Sequence, residues 1–198
     1  MSKVITGATM SLDGYIAGPG ESGFEHLFAW YESGDVTFES THPEIPFTLS
    51  ETNAAFLHEL TDSTGACVVG RHLFDITDGW GGIHPMNVPI VVVTHRVPEQ
   101  WIAEHPGAPF TFVTEGVKAA VDTAKQLAGE QNVAVNGGTM ARQALQAGLI
   151  DELWVSIAPV LLGDGTPLIG HFDGAPVVLE DPVVTAGERA THLRYRLR

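Results

Sequence analysis

Val135-Asn136-Gly137-Gly138-Thr139-Met140-Ala141-Arg142 is the stretch whose reading decides the fold. The apolar residues 132–135 read as a buried strand, two glycines form the turn, and residues 139–147 read as a helix with Thr139 as its cap and Gly148 beyond its end. A strand that runs through glycines straight into a helix is the repeating unit of an α/β sheet. Glycine lets the backbone approach a ligand closely, and the free N–H groups at a helix start attract phosphate. The spacing is not the G-x-G-x-x-G of a dinucleotide fingerprint, so the turn alone reads either as a phosphate site or as a plain tight turn.

Two strand ends upstream carry further polar candidates. Val69-Gly70-Arg71-His72 leads from a buried strand, residues 66–69, into a helix at 72–77. A cation at a helix start is mildly unfavourable, so Arg71 is either a surface residue in a poor place or a bidentate phosphate ligand. Val93-Thr94-His95-Arg96 closes the strand 89–94, with a hydroxyl and two potential cations before Pro98. It reads as a ligand site or as a solvated turn. Continuous apolar runs such as Ile90-Val91-Val92-Val93 suit a mostly parallel sheet, and in such a sheet the three ends share the rim where ligands bind. Their coincidence says more than any one of them.

The remaining segments fit the same architecture. Residues 3–10 read as the first strand, followed by a loop at 11–20 in which Asp13 is either a hydrogen-bond acceptor for a substrate or the start of an Asx turn with Gly14. A short helix is expected at 26–31, and residues 32–47 are open between a strand and a hairpin. Ser50 reads as the N-cap of a helix reaching residue 60. Strand 110–113 precedes a helix at 117–128 that stops at Gly129. Residues 153–162, 177–180 and 191–196 close the sheet, the last antiparallel. Trp80, in Gly79-Trp80-Gly81-Gly82, is a pocket wall or a surface-covering aromatic.

At 198 residues the chain is expected to form one domain, residues 1–198. Its net charge of −14, with only ten Lys plus Arg, excludes nucleic acid or an anionic membrane as partner. A small anionic ligand stays compatible, because local cations decide it. Cys67 is the only cysteine, so no internal disulfide forms, and its apolar neighbours read as a buried structural thiol. No Cys/His spacing suggests a metal site. The apolar runs fall far short of the roughly 20 residues of a membrane span. With no signal-peptide pattern before Lys3-Val4-Ile5, the expected location is cytoplasmic.

Five segments in order carry a family resemblance: M-S-L-D-G-Y-I-A (10–17), V-V-G-R-H-L-F (68–74), V-V-V-T-H-R (91–96), V-N-G-G-T-M (135–140) and L-I-D-E-L-W-V-S-I-A-P-V-L-L-G-D-G (149–165). Together they resemble the dihydrofolate-reductase-like superfamily, and more closely the reductase, or RibD C-terminal, domain of bacterial riboflavin biosynthesis and its stand-alone relatives. The resemblance implies a three-layer α/β fold: a mostly parallel central sheet, an antiparallel C-terminal part and flanking helices. It implies NADPH across the strand ends, with Gly137, Gly138, Thr139 and Met140 at the pyrophosphate. Gly70, Arg71, Thr94, His95 and Arg96 would surround the adenosine phosphates, including the 2′-phosphate, and Ala8, Ile16 and Ala17 would flank the nicotinamide. Asp13, Trp80 and the turn with Gly163 and Asp164 would face the substrate, Asp13 being the catalytic candidate. A homodimer is also implied.

The chain departs from that pattern in places. Dihydrofolate reductases carry a carboxylate early in the helix before the Gly-Arg motif, where this chain has Ala54 with Asn53 beside it. Leu73 replaces a usual Thr, and Ala141 replaces an aromatic residue. A folate reductase is therefore not expected, and no zinc deaminase domain accompanies the reductase part. Residues 20–47, with Phe24, Trp30, Tyr31 and Phe38, are long and individual and are expected to cover a pocket. The expected activity is NADPH-dependent hydride transfer to a carbonyl or imine of a small pterin- or aminopyrimidine-like substrate. The alternatives are the riboflavin-pathway reduction of the ribosyl group of a phosphorylated aminopyrimidine, and a non-catalytic nucleotide-binding dimer on the same fold.

Overall fold

The computed structural model describes residues 2–43 and 47–198. Its first half comprises β1 (Val4–Ser11), β2 (Tyr15–Ala17), α1 (Phe24–Leu27), β3 (Val36–Thr37), β4 (Thr48–Leu49), α2 (Glu51–Ser63), β5 (Thr64–Gly70), α3 (Arg71–Ile76) and β6 (Ile90–Val93). Then follow α4 (Glu99–Glu104), β7 (Phe110–Val113), α5 (Val117–Ala128), β8 (Asn132–Asn136), α6 (Thr139–Gln146), β9 (Glu152–Ala158), β10 (Thr166–Pro167), β11 (Val183–Gly187) and β12 (Ala190–Arg196). Eight strands form one sheet in the order β11-β12-β9-β1-β8-β5-β6-β7. It is parallel from β9 to β7, while β12 and β11 run antiparallel at one edge.

Burial on both faces explains the apolar strands. In β5, Ala66 and Val68 face α5 and α6, while Cys67 and Val69 face α3 and α4. Fully burying a Val or Ile contributes about 1.5–3 kcal/mol, so Ile90, Val91 and Val92, all at 0 % exposure, leave β6 no alternative to a central position. Ile5 of β1 and Trp154 of β9 pack with Phe56 of α2, which completes the second helical layer. Thus the mostly parallel three-layer α/β fold with an antiparallel C-terminal part is what the chain forms.

Several element boundaries differ from the sequence reading. Thr139 is the first helical residue of α6, not its cap; Gly138 holds the cap position and no side chain caps the helix. Ser50 does cap α2, its Oγ accepting from the Asn53 amide at 3.3 Å, and the helix runs on to Ser63. The short helix expected at 26–31 is α1 followed by a 3₁₀ turn, Ala29–Tyr31; of the open segment 32–47, residues 44–46 lie outside the described residues, and the rest contributes β3, which pairs antiparallel with β4 just beyond the segment. The strand expected at 153–162 ends at Ala158, because Pro159 has no N–H to continue the ladder. Residues 177–180 make only a bridge, Leu179 to Leu197, and β11 takes the edge position instead. Helix α4, unassigned from sequence, is anchored by Trp101 against Phe74 and Phe110. Among the described residues no helix is long and apolar enough to cross a membrane.

Candidate active site

Strands β8, β5 and β6 are parallel neighbours, so the residues following them meet on one rim. Gly138 has φ +71°, a conformation that suits glycine, and its amide donates to the Leu168 carbonyl at 2.6 Å. A Cβ on Gly137 would stand 3.2 Å from Ile16 Cδ1 and 3.5 Å from Ala8 Cβ, so these three residues are brought together. Met140 reaches across to β5: a Cβ on Gly70 would meet its Cγ at 3.4 Å. Without a side-chain cap, the first amides of α6 are left to solvent or a ligand.

The next two ends are tied to each other. Arg71 Nη1 donates to the Arg96 carbonyl at 2.8 Å and lies 3.4 Å from Thr94 Oγ1. Thr94 is buried, and its hydroxyl donates to the Arg96 carbonyl at 2.9 Å while accepting from the Arg96 amide at 3.2 Å. Asp75 takes the Nε donor, with Nε to Oδ1 at 2.7 Å, while Nη2 has no hydrogen-bond partner among the described residues. His95 and Arg96 line the same cleft as Asp75, Asp78, Glu99 and Glu104. Four carboxylates share that cleft, and one of them, Asp75, pairs with Arg71.

On the other flank, Ala17 of β2 pairs with Thr166 of β10. Asp13 ties this corner down. Its carboxylate accepts from the Ser11 hydroxyl at 2.5 Å, the Leu162 amide at 3.1 Å and the Gly163 amide at 2.7 Å. The Ser11 hydroxyl, ahead of those two amides, holds the Asp13 carboxyl below its ordinary value. Asp164 folds back on the same turn, accepting from the Gly165 amide at 2.7 Å.

A cavity of about 290 Å³ lies between the sheet and α2. Gly7, Ala8 and Thr9 of β1, Asn136 of β8 and Ser156 of β9 line one side; Phe56 and Leu57 of α2 line the other. Trp30, Tyr31 and His84 also line it. The segment expected to cover a pocket therefore does so through Trp30 and Tyr31, but not through Phe24 or Phe38. Asp13, Trp80, Gly163 and Asp164 do not line it, although the Trp80 ring packs edge-on against His84 at 4.5 Å. Ala8 lines the cavity and also flanks Gly137, so the cavity adjoins the rim.

Its polar groups are few, and sequence reading passed over Thr9, His84 and Ser156. Trp30 donates its indole N–H to Thr9 Oγ1 at 3.1 Å. Burial, with His42 as a second influence, pushes His84 down to about 4, so the ring is neutral at pH 7. Burial pushes the Tyr31 phenol and the Cys67 thiol up to about 12, which leaves Cys67 an unreactive wall residue. The signal available in the sequence was local: Thr9 stands between Ala8 and Met10, and Ser156 between Val155 and Ile157, polar residues inside apolar runs. Among the described residues no lysine or arginine lines the cavity, and no group of three or more His, Cys, Asp or Glu side chains could hold a metal ion.

Comparison with known proteins gives this geometry a setting. The sequence model of the RibD C-terminal domain matches residues 2–180. No curated protein matches the sequence. Among solved structures, a candidate riboflavin biosynthesis protein from Shewanella sp. PV-4 superposes with a TM-score of 0.68 at 21% identity, covering 100% of this chain and 99% of that one. The riboflavin biosynthesis reductase of Saccharomyces cerevisiae gives 0.59 at 14% identity, covering 100% and 90%. Dihydrofolate reductase of Enterococcus faecalis, complexed with NADP(H), gives 0.55 at 14% identity, covering 99% and 96%. At such identities these likenesses establish the fold alone, which is dihydrofolate-reductase-like. The match over residues 2–180 settles the family: this chain belongs to the RibD C-terminal domain family.

Proposed function

We propose that the chain is an NADPH-dependent reductase that transfers hydride to a carbonyl or imine carbon of a small, uncharged, ring-shaped substrate. The observation that carries this reading is the rim itself: Gly137–Gly138, Gly70–Arg71 and Thr94–Arg96 stand at three adjacent parallel strand ends, beside a cavity that shares Ala8 with them. Gly137 and Gly138 pack under Ile16 and Leu168 and carry the chain to the uncapped start of α6, where a pyrophosphate would meet the first amides of the helix beside the exposed Thr139, with Met140 next to it. Arg71, Thr94, His95 and Arg96 would hold the adenosine phosphates, and Ala8, Ile16 and Ala17 the nicotinamide.

NADPH, when bound, supplies the reducing equivalent. The chain supplies position and dryness: the apolar walls exclude water, and Thr9, Asn136 and Ser156 are the polar groups able to orient a substrate. Asp13 acts through the turn that it pins, keeping Gly163 and Asp164 against the corner where β2 and β10 pair. A phosphorylated aminopyrimidine would find no lysine or arginine in the described cavity lining, which favours an unphosphorylated ring.

Titration of the purified protein with NADPH and NADH, followed by nucleotide fluorescence, tests the reading. Saturable NADPH binding with a preference over NADH is expected; binding of neither would end it. Binding without NADPH oxidation across a panel of carbonyl and imine rings would favour the non-catalytic alternative. A homodimer belongs to the same reading, supported by the exposed edge strand β11 with Val183 at 55 % and Val184 at 58 % exposure. Sedimentation equilibrium should return twice the chain mass of 21.2 kDa, and the single-chain mass would reject the dimer.

A further inference from the structure

One row of polar side chains crosses the α2 face of the sheet. Thr9 of β1 is the register partner of Ser156 of β9, Ser156 of His192 of β12, and His192 of Thr185 of β11. Thr9, Ser156 and His192 are buried, at 8, 5 and 1 % exposure. A hydrogen-bonded chain runs along the row to α2: Ser156 Oγ lies 2.8 Å from His192 Nδ1, and His192 Nε2 lies 3.0 Å from Asn53 Oδ1. Asn53 is the residue beside the position where dihydrofolate reductases carry a carboxylate, and it is fully buried.

The direction of each bond in this chain follows from what the partners can do. Asn53 Nδ2 faces the Glu188 carbonyl at 2.8 Å, Ser33 Oγ at 2.8 Å and the Trp30 carbonyl at 3.5 Å. Carbonyl oxygens only accept, so the amide nitrogen must point at them and Oδ1 at His192. Asn53 Oδ1 only accepts, so His192 Nε2 carries a proton. Burial pushes His192 down to about 4, so at pH 7 the ring is neutral and Nδ1 is bare. The Ser156 hydroxyl therefore donates its one proton to Nδ1.

The frame around this chain is rigid. Phe56 stacks on the His192 ring at 3.9 Å and 9°, and Trp30 meets it edge-on at 5.2 Å. A Cβ on Gly187 would stand 1.8 Å from Asn53 Oδ1, so only glycine leaves the amide its place. With its proton committed to His192, Ser156 offers the cavity lone pairs and nothing else. Its neighbour is the reverse. Thr9 Oγ1 accepts the Trp30 indole N–H, and the Thr9 proton has no acceptor among the described residues. An obligate acceptor thus stands beside a free donor, one strand spacing apart, in a cavity that is otherwise mostly apolar.

We propose that Ser156 is a specificity-determining residue, locked as a hydrogen-bond acceptor by His192 and Asn53, which admits ligands presenting an N–H or O–H donor beside an acceptor for Thr9. The proposal deepens the reading of the cavity as the substrate site and rests on it. Ser156 and Thr9 touch the ligand; His192 and Asn53 are positioning residues.

Two probes differing only at the donor test it, 2-pyridone and N-methyl-2-pyridone, titrated into the full chain without nucleotide. The Trp30 indole N–H resonance reports occupancy. The wild type is expected to bind 2-pyridone about tenfold more tightly, the worth of one good hydrogen bond to a buried acceptor, and Ser156→Ala to bind both within about twofold. Equal binding of the probes by the wild type, binding of neither, or an undiminished preference in Ser156→Ala would overturn the proposal. A second measurement needs no variant: the ¹⁵N shifts of the His192 ring at pH 7 should show Nε2 protonated and Nδ1 bare. The opposite tautomer would overturn it as well. Because no nucleotide is present, a failed NADPH titration leaves this result standing, and the reverse holds too.

Discussion

Arg71→Ala is expected to weaken NADPH binding about thirtyfold while leaving NADH within about twofold. A hydrogen bond to a charged group contributes about 1.5–3 kcal/mol, and about 2 kcal/mol corresponds to roughly thirtyfold in affinity. The lower part of that range applies because the guanidinium is not idle in the free protein. It already pairs through Nε with Asp75 at 2.7 Å and through Nη1 with the Arg96 carbonyl at 2.8 Å, so a 2′-phosphate meets the Nη2 donors of a cation whose charge is already partly offset. The Asp75 pair is half exposed and weak, with 37 and 49 % side-chain exposure, so it offsets only part of the attraction. NADH lacks that phosphate and loses little. Fluorescence titration of both nucleotides against both proteins decides it: equal weakening would remove the 2′-phosphate assignment, and no weakening would remove Arg71 from the site.

Arg71 also shows why the rim was legible. A glycine pair between strand and helix and a cation at a helix start are local oddities, visible without any neighbour in space. Parallel strand order then brought Gly70 to Met140 and Arg71 to Thr94 and Arg96 as the motif order implied. The cavity was far less legible, because β1, β8, β9, α2 and the aromatics at 30 and 31 become neighbours only through the topology. Asn53 could be read only as the neighbour of Ala54, the position where a carboxylate is missing. Its role appears when β12 lays His192 between it and Ser156, partners 139 and 36 positions away from that histidine.

The misread elements have physical reasons too. Edge strand β11 leaves Val183 and Val184 exposed, so burial imposed no alternation there, whereas Val177 and Val178 looked more strand-like than they are. The apolar run after Pro159 resembles a strand, but Leu12 and Asp13 bend it into a turn by hydrogen bonds to Val160, Leu162 and Gly163. Helix α4 is six residues with one buried anchor, Trp101, too little for a periodic signal.

Lowering the pH from 7 to 4.5 is expected to lower the melting temperature by on the order of 10 °C, chiefly through His192. Burial depresses its folded value from 6.5 to about 4. The unfolded chain therefore takes up a proton as pH falls through 6.5, while the folded chain stays neutral until about 4. Stability is complete above the unfolded value and declines as pH falls, by up to about 1.4 kcal/mol per pH unit for one ring. Across the interval this reaches about 3 kcal/mol for His192, with a smaller share from the partly exposed His84, and 1 kcal/mol shifts the melting point of a chain this size by about 2–4 °C. The carboxyls held low, Asp13 and Glu152, add to the loss only near and below their ordinary values of 3.8 and 4.5, at the bottom of the range. Calorimetric melts at pH 7, 6, 5 and 4.5 measure the slope, which His84→Gln should largely retain. A flat melting point down to pH 5 would contradict neutral burial of His192. The same neutrality keeps Nδ1 bare over that range, so the polarity of Ser156 is constant while the fold around it weakens: acid acts on the unfolded chain first, and the acceptor in the cavity survives as long as the fold does.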